Sequence, residues 1–207
     1  MKNIMCFGDS NTWGFIPGTE MERFDRPDRW PGILEDLLNG QCRLIEEALC
    51  GRTTAFDDPL FPDRNGATHL PMLLDSHAPL DLIIIMLGTN DLKHYFKFTA
   101  HDIALGAAFL IEQAQNRMPE VPIILIAPPK AVETTTPFGH KFDGAVAISE
   151  GLGAAYAEIA DERGVEFMDA GKIITCPSTD GVHMDAENHT TLGHALVTPV
   201  KRILGLP

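Results

Sequence analysis

Ser10 stands at the exit of the apolar run Ile4-Met5-Cys6-Phe7, within Gly8-Asp9-Ser10-Asn11-Thr12-Trp13-Gly14. A strand that runs into a turn of small residues can lift a hydroxyl above the sheet edge and aim it at a substrate. Serine is a weak nucleophile until a base takes its proton. Asp180-Gly181-Val182-His183 supplies a candidate base. Within one loop, a carboxylate three residues ahead can reach the imidazole Nδ1–H, fix the tautomer and stabilise the imidazolium. Gly181 permits the tight turn this needs. Among His69, His77, His94, His101, His140, His189 and His194, only His94 has a carboxylate three residues ahead, Asp91, and all seven rank below His183 as the base. Acyl transfer also needs donors for a developing oxyanion. Three are candidates: the N–H of Ser10, the N–H of Gly51 in Leu49-Cys50-Gly51-Arg52-Thr53, and the side-chain amide of Asn90 in Leu87-Gly88-Thr89-Asn90-Asp91. Taken singly, Asp-x-x-His also fits a helix cap beside a surface histidine, and Asn-Asp after a strand also fits ordinary turn chemistry. Their order and their common position after strands carry the chemical reading.

The elements that must position these groups alternate. Asn3–Phe7 reads as a strand. Trp30, Ile33, Leu34, Leu37 and Leu38 follow a helical period that ends before Gly40. Arg43–Ala48 is a weaker strand. Leu82–Leu87 is almost uniformly apolar, as a strand covered on both faces must be. Asp102–Met118 reads as a helix, Pro122–Ala127 as a buried strand stopped by Pro128-Pro129, and Ile148, Leu152, Ala155 and Ile159 as one helix face ended by Gly164. Val165–Met168 gives a fifth strand, and a last helix spans about 188–204, where Pro199 should kink it or break its hydrogen bonding. This alternation implies an α/β fold with a parallel five-stranded sheet between helical layers. Such sheets place their sites in loops at the carboxyl ends of the strands. Ser10, Gly51, Asn90, Asp180 and His183 can then converge on one rim. Two long loops, 15–29 and 128–146, should overhang it as substrate walls or subunit contacts.

The chain has 207 residues, 44% of them hydrophobic, which suits one domain over residues 1–207. Its 16 Lys+Arg against 29 Asp+Glu give a net charge of −13. That balance argues against nucleic-acid or anionic-membrane partners, which need clustered positive charge. Cys6, Cys42, Cys50 and Cys176 form no CxxC pair and no zinc spacing, so free thiols in a reducing, cytoplasmic compartment are expected. No signal-peptide pattern and no membrane-length apolar run is present.

Gly8-Asp9-Ser10, Gly51, Gly88-Thr89-Asn90-Asp91 and Asp180-Gly181-Val182-His183 resemble, in order, the four blocks of the SGNH (GDSL-type) hydrolases. Each block is weak alone, but together they extend from near the start of the chain to its last helix. Segments such as Glu22-Arg23-Phe24, Arg29-Trp30, Ile45-Glu46-Glu47, Asp57-Asp58-Pro59 and Asp81–Asp91 are similar to the bacterial arylesterase/acyltransferase (perhydrolase) branch. The resemblance implies a flavodoxin-like three-layer α/β/α fold, no metal or other cofactor, and hydrolysis of small esters through an acyl-serine. In it Ser10 is nucleophile and one oxyanion donor, Gly51 and Asn90 are the others, His183 is the base, Asp180 orients it, and Trp13 lines the pocket. It also implies a homo-oligomer whose subunits narrow each other's pockets, to which the apolar loop residues Phe15, Ile16, Phe24 and Phe138 would contribute. Two departures lie where transfer to alcohols or peroxide would be tuned: the 128–146 loop is short, and Asn11 stands where the branch carries an apolar residue.

Two other readings remain open on the residues. A carbohydrate acetyl-esterase would keep the chemistry and change the substrate. A non-catalytic phosphate- or nucleotide-binding module would use Gly8–Gly14 as an anion cradle. The latter lacks the Gly-rich phosphate patterns and leaves Asn90, Asp180 and His183 without a role.

Overall fold

In the first strand, Ile4 and Cys6 point to one face of the sheet while Met5 and Phe7 point to the other, and all four are buried. That period of two, with apolar residues at both phases, demands cover on both sides. The computed structural model, which describes residues 1–207, supplies it. Five strands, β1 (Lys2–Gly8), β2 (Cys42–Ala48), β3 (Leu82–Met86), β4 (Ile123–Ala127) and β5 (Glu166–Asp169), form one all-parallel sheet in the order β2-β1-β3-β4-β5. One face packs Met5, Phe7, Ile83, Ile85 and Leu125 beneath α3 (Gly66–His77), α4 (Ala100–Arg117), α5 (Ala145–Ser149) and α6 (Leu152–Arg163). The other packs Ile4, Cys6, Ile84, Met86, Ile124 and Ile126 beneath α2 (Trp30–Leu37) and α7 (Ala186–Leu204). The result is the three-layer α/β/α arrangement expected from the alternation.

Two helices add to or depart from the sequence reading. Residues 66–77, to which the sequence assigned no element, form α3, with Pro71 inside it. Proline cannot donate to the carbonyl of Ala67, and the Gln113 amide donates to that oxygen instead at 3.1 Å. The single helix expected from Ile148 to Ile159 is divided at Glu150–Gly151 into α5 and α6. The last helix, α7, reaches Leu204 as expected, with Pro199 inside it and Gly205 as its cap. No helix is long and apolar enough to cross a membrane.

The chain leaves β1 for β2 on one side and reaches β3 on the other. The crevice between the carboxyl ends of β1 and β3 is therefore the topological switch point, where ligands of open parallel sheets bind.

Candidate active site

Immediately after β1, Asp9 caps a single helical turn, α1 (Ser10–Trp13), accepting the Asn11 N–H on Oδ1 at 2.9 Å. Ser10 is the first residue of that turn, so its own N–H has no intrahelical acceptor. Its hydroxyl lies 2.9 Å from His183 Nε2. On the other side of the ring, His183 Nδ1 lies 2.8 Å from Asp180 Oδ2. Asp180 Oδ1 accepts the backbone N–H groups of Val182 (3.2 Å) and His183 (3.0 Å), and Oδ2 also accepts that of Gly18 at 3.3 Å. Burial works against the charge of Asp180, but His183 and these N–H groups outweigh it and hold the carboxyl below its ordinary range. Gly181, at φ +83°, makes the turn between carboxylate and imidazole.

Two further loops close the crevice. After β2, Gly51 takes φ +86°, which a side chain would resist, and its peptide faces the cavity. After β3, Asn90 begins a short 3₁₀ turn. Its amide donates to the Arg52 carbonyl at 3.1 Å and, more weakly, to Asp9 Oδ2 at 3.4 Å. Thr54 donates its N–H (3.1 Å) and its hydroxyl (2.5 Å) to Asp91, so the loops after β2 and β3 are tied together. The buried Arg52 guanidinium adds a bond to the Gly8 carbonyl at 2.9 Å and lies 4.3 Å over the Phe7 ring. Burial raises Asp9 to about 6, against the pull of its Asn11 N–H bond, and raises Asp91 to about 6 as well. Burial lowers Arg52 to about 10.

The rim opens into a cavity of about 700 Å³ reached by Ser10, Gly51, Asn90 and His183. Both long loops line it, as expected: Thr19, Glu20 and Met21 from one, Lys141 and Phe142 from the other. Phe15 stacks on the His183 ring at 4.3 Å between centroids, and Phe138 approaches it at 5.4 Å. These two phenylalanines therefore turn inward against the imidazole. The exposed apolar groups at the mouth are Met21, Leu60 and Phe61.

Trp13 is a correction. It does not line the cavity; Arg23 lies 4.8 Å above its ring and donates to its carbonyl at 2.7 Å. The aromatic wall is made by phenylalanines instead. Also unforeseen was a buried polar group in the wall. Asp58 accepts from Lys93 Nζ at 2.7 Å and from the Tyr95 hydroxyl at 2.9 Å. No spacing in the sequence links residues 58, 93 and 95, because two different strand-exit loops bring them together. No cluster of three or more His, Cys, Asp or Glu side chains has the arrangement of a metal site. His189 is structural: it is wholly buried on α7 and its Nδ1 accepts the Trp30 N–H at 3.3 Å.

Strand order and rim together define the α/β/α class in which hydroxyl, imidazole and carboxylate meet above a parallel sheet. Residues 6–194 match the family model of the GDSL-like lipase/acylhydrolases, and the chain belongs to that family. It is 40% identical to the native aryl esterase of M. smegmatis, with a TM-score of 0.95 over 99% of this chain and 100% of that one. It is 39% identical to Est24, a carbohydrate acetylesterase from Sinorhizobium meliloti, with a TM-score of 0.95 over 98% and 100%. An arylesterase of Vibrio mimicus is 34% identical over 93 residues, a match that spans 44% of this chain and 38% of that relative's length.

Proposed function

We propose that the protein is a serine-dependent carboxylic-ester hydrolase acting on short acyl esters, aryl esters foremost. The observation that carries this reading is the continuous run from Ser10 Oγ to His183 Nε2 at 2.9 Å and from His183 Nδ1 to Asp180 at 2.8 Å, facing a largely apolar cavity. Ser10 Oγ attacks the ester carbonyl carbon while His183 Nε2 takes the hydroxyl proton. Asp180 holds Nδ1–H and offsets the charge of the imidazolium. The negative charge that gathers on the carbonyl oxygen meets the N–H groups of Ser10 and Gly51 and the Asn90 amide. The weak 3.4 Å bond from Asn90 to Asp9 is the one most easily exchanged for that oxygen. As the C–O bond to the leaving group breaks, His183 returns the proton to the departing alkoxide or phenoxide. Water then repeats the sequence on the acyl-serine, releasing the acid and restoring Ser10. Where an alcohol or peroxide takes the place of water, the same intermediate gives a new ester or a peracid.

The ring faces of Phe15 and Phe138 against His183 support an aromatic or otherwise apolar substrate. Exposed Met21, Leu60 and Phe61 at the mouth support a homo-oligomer that covers them. The free cysteines, three of them buried, support a reducing, cytoplasmic setting.

The test is covalent trapping. An aryl phosphonate should attach to Ser10 alone, as read by peptide mass spectrometry, and abolish turnover of phenyl acetate in parallel. Modification elsewhere, or full activity after labelling of Ser10, would overturn the reading. A panel of aryl acetates against acetylated sugars fixes the substrate class, and light scattering against the 22.7 kDa monomer fixes the assembly.

A further inference from the structure

Asn11 is the covalent neighbour of the proposed nucleophile, and the residue is 2% exposed. Its Nδ2 donates to the Val182 carbonyl at 3.0 Å, and its Oδ1 accepts the Met184 N–H at 2.9 Å. Val182 and Met184 are the residues on either side of His183. One side-chain amide thus takes the place of a strand's peptide group, pairing with the backbone on both sides of the proposed base. Both bonds are buried, and they span more than 170 residues of chain. The amide can adopt only one orientation here, because a carbonyl faces one end and an N–H the other.

Asp180 grips the same segment through Val182 N and His183 N, but from its own loop. It fixes the shape of the turn and the direction of the ring. Its one bond towards the α1 side, from the Gly18 N–H at 3.3 Å, reaches a residue beyond the α1 turn and not the turn itself. The only side-chain hydrogen bonds that join the α1 turn to the residues flanking His183 are those of Asn11.

We propose that Asn11 is a positioning residue that sets the distance between Ser10 Oγ and His183 Nε2. This rests on the reading of Ser10 and His183 given above. An apolar residue of similar size would fill the same space but leave a buried C=O and a buried N–H without partners. Those groups are relieved only if the His183 segment moves away from α1 to find water. A misplacement of about 1 Å between reacting groups costs on the order of 100-fold in rate. Substrate binding in the apolar cavity would change little, because Asn11 does not line it.

The test compares wild type, Ser10→Ala, Asn11→Leu and Asn11→Ala with a 4-nitrophenyl ester, reading kcat and KM separately at a temperature well below every melting point. Asn11→Leu should lose about 10- to 100-fold in kcat with KM within about threefold of wild type. Asn11→Ala leaves room for water to bridge the freed groups and should lose less. A merely structural role would lower the melting temperature and leave kcat of the folded enzyme alone. Unchanged kcat in a folded Asn11→Leu would overturn the proposal. Should that variant fail to fold, unchanged kcat in Asn11→Ala would do the same. Hydrogen exchange in the wild-type protein gives a third reading: the Met184 amide should be protected, and exchange at the rate of an open loop would also refute it. Full activity of Ser10→Ala would instead overturn the reading of the site itself, so the two failures are distinct.

Discussion

Replacing Asp180 with asparagine should harm the enzyme more than replacing it with alanine, although asparagine is the closer mimic. The reason lies in how the carboxylate is used. Oδ1 accepts two backbone N–H groups, from Val182 and His183, while Oδ2 accepts His183 Nδ1 and the Gly18 N–H. An amide keeps one acceptor oxygen, and the two backbone donors, fixed by the turn, claim it. The NH₂ group then faces His183 Nδ1. Nδ1 must become the acceptor, so the proton moves to Nε2, which points at Ser10 Oγ. A protonated Nε2 cannot take the serine proton. Holding a histidine base in the wrong tautomer costs about 10⁴-fold in kcat, or roughly 5.5 kcal/mol of barrier. Alanine removes the carboxylate but leaves both tautomers available, so the loss should be smaller than with asparagine. Steady-state hydrolysis of 4-nitrophenyl acetate near neutral pH measures both variants, with circular dichroism to establish folding. An Asp180→Asn enzyme that keeps more than about a tenth of wild-type kcat, or exceeds Asp180→Ala, would refute the tautomer argument.

Removing the Asp58 carboxylate by Asp58→Ala leaves the Lys93 ammonium buried without a partner and should cost about 3–5 kcal/mol of stability, read by denaturant unfolding; a loss under about 1 kcal/mol would mean that Lys93 finds water. Phe138→Ala should lower kcat/KM for aryl esters about fivefold, since a half-buried ring gives up roughly 1 kcal/mol of apolar contact, and a competition between phenyl and methyl acetate would register the difference. Burial, with the Arg29 guanidinium nearby, lowers His189 to about 3, below the value near 6.5 of an unfolded chain. The unfolded state therefore binds the extra proton, and the stability this histidine contributes above about pH 6.5 is lost as the pH falls towards 3. Asp9 and Asp91, raised to about 6, act in the opposite sense between about pH 4 and 6, because there the folded state binds more protons. His189→Asn should thus lose less melting temperature than wild type between about pH 7 and pH 5; an equal loss would remove His189 from the acid response.

The layer architecture was legible because apolar runs such as Leu82–Leu87 admit one arrangement, a strand covered on both faces. The rim residues were legible for a different reason. Ser10, Gly51, Asn90 and Asp180-His183 each follow a strand, and a parallel sheet brings all such positions to one edge. Helix α3 was not read from the sequence; Pro71 inside it removes one backbone hydrogen bond, and the acceptor this leaves, the Ala67 carbonyl, is taken by the distant Gln113 on α4. The break between α5 and α6 left no mark in the apolar period. Trp13 failed as a wall residue because its place depends on where Arg23 folds back, and the Asp58–Lys93–Tyr95 group depends on two loops meeting. Asn11 was visible only as a departure from the pattern of similar sequences; its two bonds to the residues around His183 depend on a tertiary approach that no local spacing encodes.

The most direct test of the account is hydrolysis of 4-nitrophenyl acetate by wild type and Ser10→Ala, purified and assayed together. The account expects rapid turnover by wild type and a loss of about 10³-fold or more in kcat in the variant, with His183→Ala falling comparably because the two act as a unit. Equal rates in wild type and a folded Ser10→Ala would contradict it, since the hydroxyl placed 2.9 Å from His183 would then have no part in the reaction.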